Sequence, residues 1–155
     1  MREGNRIMDA GQLLDRLRLT GAVRFTARAE GPVGWERRGV GSVVVEPDDA
    51  GVVIFRESGT WRPAGGDDLR FRNAYRWAAT GERAVSLEHL RLGDERPVFL
   101  FELAPETTSS WASVAPHPCG EDRYSARLLV EDEHITLRWT VIGPRKVEAI
   151  EATYY

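Results

Sequence analysis

The sequence predicts an all-β protein, an up-and-down antiparallel β-barrel preceded by one short N-terminal helix. From residue 22 onward, apolar and polar residues alternate with a period of two, and clusters of Gly, Pro and Asp separate the alternating segments. About ten such segments follow one another, whereas a helical pattern occurs once, near the N-terminus. Since an open sheet of that many strands has two exposed edges, closure into a barrel is the expected arrangement.

Length and composition fit one domain over residues 1–155. The chain has 155 residues, of which 42% are hydrophobic and 29% are charged. No apolar run approaches the roughly 20 residues of a membrane helix, and the first residues lack the features of an export signal. We therefore expect no membrane partner and a cytoplasmic location. The single cysteine, Cys119, agrees with a reducing compartment.

The charge pattern argues against a nucleic-acid partner. The net charge is −3, and the acids are interspersed among basic residues that are nearly all arginine, with Lys146 the single lysine. Arginine suits carboxylate and phosphate recognition, although a coding bias toward arginine explains the same composition. An outer face of the third and fourth strands could still dock an acidic partner or form a homodimer. Its arginines are Arg56, Arg62, Arg70, Arg72 and Arg76.

The helix is predicted over residues 10–19. Asp9 is a suitable N-cap, and Gln12 stands three residues later, as in a capping box. Leu13, Leu14 and Leu17 form one apolar stripe that must pack against another part of the chain. We expect this helix to cover one end of the barrel.

Strands are predicted from about residue 22 to residue 154. The predicted ranges are 22–30, 35–46, 51–62, 68–79, 83–92, 97–103, 110–115, 123–131, 134–142 and 146–154. The apolar parity of each strand should face inward, and it brings several polar side chains into the interior. Glu57, Asn73, Tyr75, His89 and Tyr124 belong to this inward set.

An apolar cavity with a few polar groups is typical of a small-molecule site. We therefore predict that the inward polar residues bind a ligand, together with three residues expected near the rim of the barrel. The predicted ligand-binding residues are Glu57, Asn73, Tyr75, His89, His117, Asp122, Tyr124 and Arg145. The alternative is that these groups only satisfy one another, for example through an ion pair between Glu57 and Arg145.

The segment APHPCGEDRYSARL, residues 115–128, admits three interpretations. A Cys119 nucleophile would need an oriented His117 and a third partner, which the segment does not supply. A zinc site formed by His117, Cys119, Asp122 and His134 would require two strand ends to converge. We favour a proline-stiffened loop beside the pocket, with His117 as a ligand contact, and we assign no metal.

Four motifs resemble those of an uncharacterised bacterial family. They are Glu57 to Gly59, Tyr75 to Trp77, the His-x-Cys-x-x-Asp-x-Tyr segment from His117 to Tyr124, and the Trp-x-Val-x-Gly-Pro-x-Lys segment from Trp139 to Lys146. The resemblance implies a calycin (lipocalin-like) barrel and supplies no reaction. The chain departs from the family pattern at residues 93–97, where GDERP replaces an Asp-Gly-Arg hairpin.

A small-molecule-binding barrel is the first functional hypothesis, and three others stay open. The first alternative is an enzyme in which Glu57 or His89 is the general base and Tyr75 or Tyr124 polarises a carbonyl. The second is a haem-binding barrel that uses His89 or His134, because calycin-like barrels include haem binders. The third is an interaction protein that docks through its outer arginines. The sequence identifies no cofactor.

Overall fold

The computed structural model describes residues 6–31, 34–46, 51–115 and 117–155, and it does not describe the side chains of His117 and Cys119. Within these ranges the protein is an up-and-down antiparallel β-barrel with one short helix, which confirms the predicted fold class. No helix among the described residues has both the length and the apolar character that crossing a bilayer requires.

Helix α1 spans Ala10–Leu17 and is held by the predicted capping box. The Asp9 side chain accepts a hydrogen bond from the Gln12 backbone N–H, and the Gln12 side chain accepts one from the Asp9 N–H. The helix ends two residues earlier than predicted, because Arg18 is the C-cap and the chain tightens into a turn. The leucine stripe is buried, and α1 contacts β3 and β4 at one end of the barrel, the helix end.

Eleven strands follow within the described residues. They are β1 (Ala22–Ala29), β2 (Trp35–Glu46), β3 (Val52–Pro63), β4 (Leu69–Gly81), β5 (Ala84–His89), β6 (Val98–Pro105), β7 (Ser110–Ser113), β8 (His117–Cys119), β9 (Asp122–Val130), β10 (Ile135–Ile142) and β11 (Val147–Tyr154).

Ten of these strands close into the barrel. Each strand pairs antiparallel with its neighbour in the chain from β1 to β7, and β7 pairs with β9. Closure then runs through β9, β10 and β11 back to β1, where Phe25 lies opposite Ala152. The strands therefore alternate in direction between the helix end and the opposite end, the far end.

Strand β8 is the one element that the sequence analysis treated as a loop. It has three residues and forms a hairpin with the start of β9, with Gly120 at a φ of 65° in the turn. All ten predicted strands are present, although some end early. Strand β5 stops at His89, and the chain then enters a turn in which the Gly93 N–H donates to the Leu90 carbonyl.

The predicted parity of the strands is confirmed by burial. Val53, Phe55 and Trp77 are fully buried near the helix end, where apolar packing fills the barrel. Toward the far end, β2 carries glycines on its inward face. A Cβ on Gly39 would overlap the ring of Phe25, so glycine at this position lets the ring lie against the strand. The interior is thus filled at the helix end and lined by aromatic rings beyond it.

The outer wall pairs many of its arginines with acids. Arg56 contacts Glu46 and Asp94, and Arg76 contacts Glu88. Arg62 likewise contacts Asp68, 2.8 Å away. Three of the five arginines predicted to form a docking face therefore already have carboxylate partners. These pairs are partly exposed, so each contributes at most about 1 kcal/mol to stability.

Candidate functional site

The barrel interior holds a cavity of about 140 Å³ beside Glu57, the inner chamber. Strands β1, β3, β4, β5, β10 and β11 contribute its walls. The lining residues are mainly apolar and aromatic, and polar atoms come from Glu57, Asn73, Tyr75, Tyr154 and the indole N–H of Trp139. They are Val23, Phe25, Ala27, Glu57, Asn73, Tyr75, Leu87, Leu137, Trp139, Ile150, Ala152 and Tyr154.

Glu57 is the buried acid of this chamber, with 5% of its surface exposed. The Tyr154 hydroxyl donates a hydrogen bond of 2.8 Å to its Oε2 atom. Burial raises the pKa of Glu57 from 4.5 to about 7, although the hydrogen bond from Tyr154 opposes part of that rise. Arg145, the alternative cation partner, is exposed in the β10–β11 turn, and a tyrosine supplies the hydrogen bond to Glu57.

Tyr75 and His89 form a stacked pair between β4 and β5. They are direct cross-strand partners, their ring centroids are 4.8 Å apart, and their planes differ by 17°. Burial and the nearby Glu57 carboxylate raise the pKa of Tyr75, so its hydroxyl stays protonated. Burial and the charge of Arg91 lower the pKa of His89, which favours the neutral imidazole near pH 7.

A second cavity of about 120 Å³, the outer chamber, lies toward the far end. Trp139 and Ile150 line both chambers, and the stacked Tyr75–His89 pair contributes one ring to each. The outer chamber is more polar than the inner one. It is lined by His89, Arg91, Val98, Leu100, Tyr124, Trp139, Val141, Lys146, Glu148 and Ile150.

Asp122 fixes the turn that leads into this outer chamber. Its carboxylate lies 3.4 Å from the Lys146 ammonium, and a Cβ on Gly143 would overlap its Oδ1 atom. Burial lowers the pKa of Lys146, but Glu148 and Asp122 more than offset that effect and the net shift is upward. Asp122 therefore holds Lys146 beside the chamber as a charged ammonium, and its own side chain is absent from both described chamber linings.

The four-ligand zinc interpretation does not fit the geometry. Asp122 begins β9, whereas His134 follows the end of that strand and contacts Glu131 at 3.2 Å. Eight residue steps along a strand amount to about 26 Å, so Asp122 and His134 cannot share one ion. Haem through His89 fits poorly as well, because the adjoining cavity of about 120 Å³ is far smaller than a porphyrin. The side chains of His117 and Cys119 lie outside the described residues.

The structure brings five of the eight predicted residues together. Glu57, Asn73 and Tyr75 line the inner chamber, and His89 and Tyr124 line the outer chamber. The lining residues that were not predicted from the sequence include two aromatic residues, one basic residue and one aliphatic residue. They are Phe25, Lys146, Ile150 and Tyr154. Period-two parity along β11 signals two of them, because its buried and half-buried apolar residues alternate up to the C-terminus.

Comparisons with known proteins address family and fold. A search of curated protein sequences finds no match. Among solved structures, the chain is similar to EF1p2_mFAP2b bound to DFHBI, with 9% sequence identity and a TM-score of 0.42. That similarity covers 90% of this chain and 94% of the other. A family model matches residues 5–155, and the chain therefore belongs to the family of unknown function DUF6314.

Proposed function

We propose that the protein binds a small, ring-bearing organic molecule inside the barrel. The observation that carries this proposal is the buried carboxyl of Glu57, which lines a largely apolar chamber. Its pKa of about 7 means that both protonation states are populated near neutral pH. Such a group suits a hydroxyl or an amine of a bound molecule, because it accepts a hydrogen bond when ionised and donates one when protonated.

The chambers limit the size of the ligand. The inner chamber of about 140 Å³ is close to the roughly 150 Å³ of an engineered cavity that holds one benzene ring. Phe25, Tyr75 and Trp139 supply aromatic surface around that space, while Glu57 and Asn73 supply polar atoms. The adjoining outer chamber has room for a short substituent. This supports a ligand with one ring and a short polar chain.

The predicted residues take different roles in this proposal. Asn73 and Tyr75 orient the ring with Glu57, and His89 and Tyr124 contact the substituent. Asp122 acts as a positioning residue, because it holds the turn that carries Lys146. His117 and Arg145 remain proposed rim contacts.

The test is calorimetric titration with phenol, which has one ring and one hydroxyl. We expect saturable binding to the wild-type protein and loss of that binding in Ala27→Phe, which fills the inner chamber. The matched control is Thr26→Phe, because Thr26 is the adjacent residue on β1 and its side chain is exposed. Absence of phenol binding to the wild type, or equal binding to both variants, would contradict the proposal.

Acid–base catalysis is a second candidate that the same carboxyl favours. A general base works best when its pKa lies near the working pH, and Glu57 meets this condition at about 7. In this case Glu57 would take a proton from the bound molecule, and Tyr75 would hydrogen-bond a carbonyl oxygen. Incubation of phenolic ketones in deuterated water tests it, because exchange at the carbon next to the carbonyl should depend on Glu57.

We also propose that the barrel acts as one domain over residues 1–155 in the cytoplasm, as a calycin-like member of a bacterial family. The pairing of β1 with β11 supports the single domain, because the two ends of the described chain complete one sheet. The arginine–carboxylate pairs of the outer wall support a small molecule, rather than nucleic acid, as the partner.

A further inference from the structure

Arg37 lies against two indole rings on the inward parity of β2. Its guanidinium carbon is 4.1 Å from the ring centroid of Trp35 and 4.8 Å from that of Trp61. Trp35 is two residues away on the same strand face, and Trp61 comes from the neighbouring strand β3. We name this group the Trp–Arg–Trp cluster.

The cluster adjoins the inner chamber. Arg37 is the direct cross-strand partner of Ala27, which lines that chamber. Two residues further along the same pair of strands, Gly39 lies opposite Phe25, another lining residue. On β3, Trp61 and Glu57 share a face and stand four residues apart, which is about 13 Å along a strand. The Trp–Arg–Trp cluster therefore lies toward the far end, at a distance from Glu57 that one small molecule can span.

The Arg37 side chain is exposed, and its guanidinium has no hydrogen-bond acceptor among the described residues. This differs from Arg38, the next residue, which faces outward and contacts Glu36 at 3.2 Å. Stacking on indole faces uses the flat surface of a guanidinium and leaves its N–H groups at the edge available. Those N–H groups form a planar fork that matches the two oxygens of a carboxylate.

We propose that the Trp–Arg–Trp cluster binds a carboxylate carried by the ligand of the inner chamber. The inference rests on the proposed function, and it assigns the ligand class as a small aromatic acid. The ring with its hydroxyl occupies the inner chamber against Glu57. For this ligand class, the polar chain carries its carboxylate toward Arg37 instead of into the outer chamber. The indoles hold the guanidinium in place before the ligand arrives, which reduces the entropy that binding would otherwise cost.

Three phenols test the proposal by calorimetric titration at pH 7. They are phenol, 3-(4-hydroxyphenyl)propionate and 3-(4-hydroxyphenyl)propan-1-ol, so the last two differ in the carboxylate alone. We expect the wild type to bind the propionate at least about tenfold more tightly than the alcohol, as a charge-assisted hydrogen bond allows. In Arg37→Gln that preference should fall to about twofold or less, whereas phenol should bind as it does to the wild type.

Two further variants separate recognition from net charge. Arg72→Gln removes one positive charge from the exposed outer face of β4 and should leave the tenfold preference unchanged. Arg37→Lys keeps the charge without the planar fork and should retain only part of the preference.

Equal binding of propionate and alcohol by the wild type, or an unchanged preference in Arg37→Gln, would overturn the carboxylate assignment. If phenol still binds in that case, the proposed function stands without it. If phenol does not bind at all, both fail together.

Discussion

Replacing Glu57 with Gln should remove a large pH dependence from the free energy of unfolding. Burial raises the pKa of this carboxyl from 4.5 to about 7, so the folded protein holds the proton more tightly than the unfolded chain. Stability from this group is therefore fully present below about pH 4.5 and is lost as the pH rises through about 7. At about 1.4 kcal/mol for each pH unit, the total loss is about 3 kcal/mol.

Urea unfolding followed by tryptophan fluorescence measures this effect at pH 5 and pH 8. Most of the loss, about 2–3 kcal/mol, falls between these two values. We expect the wild type to lose that amount relative to Glu57→Gln, because the neutral amide does not titrate. Other acids affect both proteins alike, so the difference between the two isolates Glu57.

The control is Glu151→Gln on the outer wall, where the carboxylate contacts Arg138 at 2.8 Å and is about half exposed. That substitution should change the pH dependence by less than about 1 kcal/mol. If wild type and Glu57→Gln keep a constant difference between pH 5 and pH 8, within about 0.5 kcal/mol, Glu57 does not have a raised pKa. The assignment of a buried acid to the inner chamber would then be wrong.

Three further predictions concern neighbouring groups. Tyr154→Phe removes the hydrogen bond that lowers the pKa of Glu57, so the pH-dependent loss of stability should extend to higher pH, and the protein should lose about 1.5–3 kcal/mol at pH 8 by urea unfolding. Gly143→Ala should cost about 1–3 kcal/mol, because the added Cβ overlaps Asp122, whereas Gly21→Ala meets open space and should cost much less. Tyr75→Phe should weaken phenol binding in calorimetry while it changes stability by only about 1 kcal/mol.

Period-two alternation was sufficient to predict the barrel and the position of Glu57, because it determines which face of a strand is buried. It does not determine register between strands that are distant in sequence. Tyr154 donates to Glu57 across 97 residues, and the contact exists because β11 closes against β1. The alternation could therefore place Glu57 inside the barrel without identifying Tyr154 as its hydrogen-bond partner.

Turns set the second limit on prediction. The parity of β10 does not continue through the β10–β11 turn, so Arg145 is exposed and Lys146 lies beside the outer chamber. Strand β8 has only three residues, one of which is proline, and is therefore too short to show an alternating pattern. Asp122 has the predicted position at the start of β9, but it packs against Gly143 from the turn and does not face a chamber.

The four motifs that suggested the family resemblance meet in pairs at the two chambers. Glu57 and Tyr75 come from the two upstream motifs and line the inner chamber. Tyr124 and Lys146 come from the two downstream motifs and line the outer chamber, where Asp122 joins one to the other. Packing alone does not explain this arrangement, because the buried carboxyl destabilises the folded state by about 3 kcal/mol above pH 7. An apolar residue at position 57 would avoid that loss, so the presence of an acid beside a cavity supports the proposal that this carboxyl binds a ligand.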